Sequence, residues 1–199
     1  MKRLTILLIT VFSLFIFAQS ALCVTGNVSG YLGFRALDKG EWEPVETQLQ
    51  FGTLFDITPD NWPVSIAVDL LVSVGVEEDE FVDGSRTGTA GFADITGSVI
   101  ELDVGVRKIF NTGSGFTPYV GGGLAFASAT YEIDYFSAAT QDGDDSGVGI
   151  WIGAGFYLPL TNHFHLGFDA RVSTVEVTLF NRDVDAGGLQ LGFLVGYHW

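Results

Sequence analysis

The sequence predicts an all-β fold, an eight-stranded antiparallel up-and-down transmembrane β-barrel, and three observations carry that prediction. Eight segments alternate between apolar residues and small or polar ones, the period of a strand. The connections between them are long after every odd strand and short after every even one, which is the layout of a closed meander. No later stretch approaches the roughly 18 uninterrupted apolar residues of a transmembrane helix, so a crossing of the bilayer must be made by strands.

At the amino end, Met1, Lys2 and Arg3 precede an apolar run from Leu4 to Ala18, then small residues at Ala18-Gln19-Ser20 and Ala21-Leu22-Cys23. This is the layout of a secretory signal peptide. Cleavage fits after Ser20, giving a leader of residues 1–20, or as late as Cys23; the barrel domain is expected over residues 24–199. Lipidation at Cys23 is disfavoured by the bulk of Leu22. Cys23 is the only cysteine, so no internal disulfide supports the fold. The whole chain carries a net charge of -15, and removal of Lys2 and Arg3 leaves -17. It lacks the clustered basic residues that a nucleic-acid partner requires.

The first strand sets Val28, Gly30, Leu32, Phe34 and Ala36 against Asn27, Ser29, Tyr31, Gly33 and Arg35. After a polar connection from Leu37 to Pro44, the second runs from Val45 to Ile57 and ends in the turn-rich stretch from Thr58 to Pro63. The third has Val64, Ile66, Val68, Leu70, Val72 and Val74 on one side. A long polar segment from Glu77 to Ala93 follows. Strand four sets Ile100, Leu102, Val104 and Val106 against Glu101, Asp103, Gly105 and Arg107. The fifth starts at Thr117 and combines Val120, Leu124 and Phe126 with Gly and Ala. An acidic loop with Asp142-Gly143-Asp144-Asp145 leads to strand six, from Val148 to Leu158. Strand seven sets Phe164, Leu166, Phe168, Ala170 and Val172 against His165, Gly167, Asp169, Arg171 and Ser173. A fourth long loop, to about Ala186, delivers the chain to a last strand from Leu189 to Trp199.

A soluble barrel also alternates, but its apolar face points inward around a ligand. Here the apolar faces are branched aliphatics and Phe, while the opposite faces combine Gly and Ala with full charges, a poor outer coat in water. The aliphatics are therefore expected to face lipid. The inward acids Glu46, Asp56, Asp69, Glu101, Asp103 and Asp169 outnumber Arg35, Arg107 and Arg171. Gln48, Gln50, Glu101, Asp103, Arg171 and Gln190 fall at one height, Asp69 and Arg107 lie lower, and Arg35 is expected to face Glu46 near the top. This ion network reads as a structural plug.

Phe116-Thr117-Pro118-Tyr119-Val120-Gly121-Gly122-Gly123-Leu124 and the stretch from Asp185-Ala186-Gly187-Gly188-Leu189-Gln190-Leu191-Gly192 through Tyr197-His198-Trp199 resemble the fifth and eighth strands of the small OmpA/OmpX-type outer-membrane β-barrels. The resemblance implies the outer membrane of a Gram-negative bacterium, surrounded by its lipid and lipopolysaccharide. It also implies that Val195, Tyr197 and Trp199 serve as the signal read by the barrel-assembly machinery. Trp199 stands where Phe is commoner in that family.

Most of the acids lie in the four long connections, against Lys39, Arg86 and Arg182. Charged loops of this kind commonly do no more than stay solvated. The sharper alternative is that Glu77, Glu78, Asp79 and Glu80, or Asp142, Asp144 and Asp145, bind divalent cations, although neither run has EF-hand spacing. An enzymatic reading would make this a lipid-modifying barrel using His163, His165, His198, Asp169 and Ser173, which are spread along the barrel, so no catalytic residue is assigned. A third class is a narrow cation-preferring conduit, opposed by the side chains expected to fill the lumen. The reading adopted is a barrel with a structural or surface-interaction role and no cofactor.

Overall fold

Alternation of this regularity builds a sheet, and in the computed structural model the sheet closes on itself. The structure describes residues 24–82, 91–113, 115–136 and 140–199. The leader expected at 1–20 and Cys23 lie outside the described residues. The strands are β1 (Val24–Ala36), β2 (Thr47–Pro59), β3 (Ser65–Val82), β4 (Gly91–Ile109), β5 (Thr117–Tyr135), β6 (Gln141–Pro159), β7 (Phe164–Thr174), β8 (Glu176–Leu179), β9 (Arg182–Asp185) and β10 (Gly188–His198), with a short helix α1 (Lys39–Trp42) after β1. The barrel order is β1-β10-β7-β6-β5-β4-β3-β2, and each neighbouring pair is antiparallel. At the closing seam Gly33 faces Gly192. A Cβ on Gly192 would lie 2.4 Å from the Tyr31 ring, so the inward fold of that ring depends on a glycine there.

Leu32, Phe34, Phe51, Ile100, Leu102, Leu124, Ile150, Ile152, Phe193 and Val195 are exposed on the outer surface. A water-facing coat of this kind would aggregate; against hydrocarbon it is what a spanning barrel requires. β4, β5 and β6 contain 19 residues each, whereas a crossing needs roughly 9 to 11. The surplus rises beyond the apolar band, and there the alternation changes phase. On β4, Ile100 is 52% exposed while its neighbour Val99 is 0% exposed. Below that step the outward residues are aliphatic and the inward ones charged; above it Ser98, Thr96 and Asp94 point outward while Val99, Ile95 and Ala93 are buried. β5 makes the same change at Ser128, which faces Ser146 of β6 with their hydroxyls 3.1 Å apart, and the outward side of β6 likewise turns polar from Ser146 upward. The reason is the solvent: lipid outside the lower half, water outside the upper.

This phase change corrects the sequence reading of the long connections. The segment from Glu77 to Ala93 is strand up to Val82 and again from Gly91, with a bulge between Glu77 and Glu80. Asp142, Asp144 and Asp145 stand on β6 rather than in a loop. The first connection holds α1, and the fourth folds into the β8–β9 hairpin. These two pieces close the upper mouth over an apolar core that includes Trp42, Ile95, Tyr131, Ile133, Val177 and Leu179. Trp42 Nε1 donates to the Asp185 carbonyl at 2.8 Å, and the Asp185 N–H donates to Glu41 Oε2 at 2.7 Å. The helix and the hairpin are thus tied to each other.

Candidate functional site

The inward positions of the lower and middle barrel converge on one polar network. Arg107, on β4, donates to Asp56 of β2 at 3.0 Å and to Asp69 of β3 at 2.7 Å. Arg171 reaches from β7 across the lumen to Asp69 and Asp103, both at 2.9 Å, while its Nε holds Asp169 at 2.6 Å. Asp69 and Asp103 are direct cross-strand partners. Two like charges in that relation repel, and the shared guanidinium is what holds them there. Higher up, Arg35 donates to Glu101 at 2.8 Å and to the Ala186 carbonyl at 2.9 Å. Glu101 also accepts from Ser173 and from Gln190, each at 3.0 Å, and Gln190 accepts from Gln50 at 2.9 Å. The arginine and carboxylate side chains of these pairs are at most 1% exposed.

Aromatic rings bracket the charges. Tyr119 donates to Asp169 at 2.5 Å and stacks on Tyr157 with centroids 4.8 Å apart. Arg107 lies 4.9 Å from the centroid of the Tyr119 ring, and Arg171 lies 5.1 Å from that of Trp151. A second buried apolar group, including Tyr31, Leu54, Leu71 and Leu194, is interleaved with the charges, Leu54 facing Asp69 and Leu71 facing Glu101 across the strands. Charges, rings and aliphatics together fill the lumen.

The structure brings Arg35, Asp69, Glu101, Asp103, Arg107, Asp169 and Arg171 into this network. It does not bring Glu46. The cross-strand partner of Arg35 is Gln48, and its guanidinium extends inward to Glu101, whereas Glu46 sits just before β2 and accepts the Leu37 N–H through its carbonyl. Asp56, which strand parity had already placed inward, joins the network through Arg107, and Tyr119 and Tyr157 are contributors that the sequence reading did not assign to it. Inward parity on β5 was the signal that could have added Tyr119.

The acidic runs lie along strands rather than in compact loops. In a strand successive side chains point to opposite faces, so Asp142 and Asp144 are exposed on one side while Asp145 turns to the other and accepts the Thr178 N–H at 2.7 Å. Glu77 and Glu78 are exposed on β3, and the side chains of Asp79 and Glu80 lie outside the described residues. Among the described residues no group of three or more His, Cys, Asp or Glu is arranged to hold a metal ion. The residues of the enzymatic reading separate as well: Ser173 joins Glu101, Asp169 joins Arg171, and His165 instead meets Ser29 at 2.9 Å. The other rings beside His165 are those of Tyr157 and His198. On β10, Val195 is 63% and Tyr197 39% exposed, while Trp199 folds over Gly26 against Phe55.

Residues 4–198 match the family described as the outer membrane protein beta-barrel domain. The chain belongs to that family. An outer-membrane β-barrel explains the lipid-facing coat, the closed ring and the buried charges together. No curated protein matches the sequence. Among solved structures, a major outer membrane protein of Thermus thermophilus aligns over 89% of this chain and 100% of its own, with a TM-score of 0.63 and 13% identity. OprG of Pseudomonas aeruginosa aligns over 88% of this chain and 95% of its own, at a TM-score of 0.55 and 16% identity. Ail of Yersinia pestis, in complex with the heparin analogue sucrose octasulfate, covers 88% and 98% at a TM-score of 0.55 and 15% identity. At these identities the likeness is one of fold.

Proposed function

We propose that this outer-membrane barrel is a closed scaffold that displays its tall acidic end to the exterior, with a structural or surface-interaction role and no catalytic activity. The observation that carries the reading is the network of Arg35, Arg107 and Arg171 with five carboxylates, at most 1% exposed, spanning the lumen and packed among buried aliphatic and aromatic side chains. A hydrated ion crossing such a section would have to displace charge-assisted bonds in a region of low dielectric. The orientation is supported by the contrast between short turns at one end and long strands at the other, the arrangement of barrels with short periplasmic turns. In this reading the leader at 1–20 is removed on export. Val195, Tyr197 and Trp199 present the assembly signal to the barrel-assembly machinery, and lipid and lipopolysaccharide surround the aliphatic band.

Reconstitution into a planar bilayer tests the closed lumen. The expected result is no resolved conductance step from the pure protein. Steady cation-selective steps would replace the scaffold reading with that of a narrow conduit, for which the excess of buried carboxylates over arginines would be the filter.

A further inference from the structure

Above the change of phase the outer face is polar, as water requires, until the tip of the tall wall, where that rule breaks. Phe81 of β3, Phe92 of β4 and Phe136 at the end of β5 are 61%, 57% and 62% exposed. They form one row across the three strands. Phe81 is the cross-strand partner of Phe92, their rings edge to face at 5.4 Å, and the Phe136 N–H donates to the Phe92 carbonyl at 3.2 Å. From Ile100, the last outward aliphatic of β4, the row is roughly 26 Å further along the strand. Contiguous apolar side chains kept in water at such a height mark a contact surface.

The face beneath the row sets the charge of what can cover it. Directly below, Asp94 faces Asp134, and one step further down Glu132 faces Asp142. Like charges so placed repel, and residues 91–99, 128–136 and 141–146, which build this part of the wall, contain no Lys or Arg. A second copy of the chain is a poor occupant, because a two-fold contact repeats one patch on both sides and would set carboxylate against carboxylate. We propose that this face docks a cationic amphipathic helix, with the apolar side of the helix on Phe81, Phe92 and Phe136 and its basic side chains on the carboxylates below. The spacing suits a helix laid across the strands. Neighbouring strands lie roughly 4.8 Å apart and one helical turn advances about 5.4 Å, so apolar side chains a turn apart meet successive rings. The nearest carboxylates lie roughly 7 Å from the aromatic row on the same face, within reach of Lys and Arg stems that flank an apolar stripe. A bilayer fits less well, since lowering the rings into it would press the carboxylates onto lipid phosphates.

The inference rests on the surface-interaction reading and deepens it, and its test leaves the closed lumen aside, because binding to barrels in phosphatidylcholine nanodiscs does not depend on conductance. An amphipathic helical peptide of Leu and Lys, and its counterpart of Leu and Glu, are titrated by surface plasmon resonance with empty nanodiscs as the reference. The Lys peptide should bind saturably and about tenfold or more tighter than the Glu peptide. Phe92→Ser combined with Phe136→Ser should weaken it by about tenfold or more through lost apolar contact. Glu132→Gln combined with Asp134→Asn should also weaken it and flatten its dependence on salt. All four side chains are exposed, so neither pair of changes opens the core. Equal binding of the two peptides, unchanged affinity in both double variants, or binding no stronger than to empty nanodiscs would overturn the assignment. Pelleting with phosphatidylcholine vesicles that is lost in the Phe variant, without preference between the peptides, would overturn it in favour of a membrane contact.

Discussion

At the scale of single residues, Arg171 carries the most. Its guanidinium is shared by Asp69, Asp103 and Asp169, on three different strands. Removing one member of a buried pair leaves a charge without compensation, so Arg171→Met should destabilise the barrel by about 3 to 5 kcal/mol. Urea unfolding in micelles measures this, and an unchanged midpoint would show that the network contributes nothing there. Arg171→Lys should fall short as well, because an ammonium is a point charge and cannot fork to three carboxylates. Strand parity was enough to point Arg171, Arg107 and Arg35 inward from the sequence alone. It could not name their partners: long side chains over small neighbours cross the lumen, and so Arg35 finds Glu101, on a strand that is not its neighbour, rather than Glu46.

At the scale of elements, the β8–β9 hairpin is docked by a contact that responds to acid. Asp145 accepts the N–H groups of Thr178 and Ser146, and these hold its carboxyl below the ordinary value of 3.8. A depressed value means that the folded form favours the carboxylate. The contact is therefore complete above the ordinary value and is lost as pH falls through the lower, folded one. The Thr178 amide shift should accordingly be flat from neutral pH down to about the reference carboxylate range and inflect beneath it. An inflection at or above 3.8 would contradict the docking. The hairpin itself was not legible in the sequence. Its strands have four residues each, and its turn is Phe180-Asn181 in place of the Asn-Gly pair that announces such a turn.

Across the whole molecule the governing fact is that one chain lies in two solvents. The eight barrel strands, their order and the outward aliphatics were readable because the membrane half follows a single rule of alternation. The upper half follows the opposite rule, and a reader keeping one phase meets Val99 beside Ile100 and takes the rest for loop. Leu102→Cys and Thr96→Cys, each made together with Cys23→Ser and carrying a spin label, test the boundary. The label at 102 should relax with dissolved oxygen and the label at 96 with a water-soluble nickel chelate; oxygen dominance at both sites would extend the membrane past the change of phase.

The bridge from Arg171 to Asp103 also has a bearing on how the molecule is put together. The two residues lie 68 positions apart. Until β7 arrives, the hairpin of β3 and β4 has Arg107 to pair with Asp69 but no cation for the facing Asp103, and its inner wall is unfit for hydrocarbon. A partly built sheet of this sequence is thus poorly suited to life in the bilayer by itself. The last strands supply both the missing charge and the closing edge, so neutralisation and closure come late, and together.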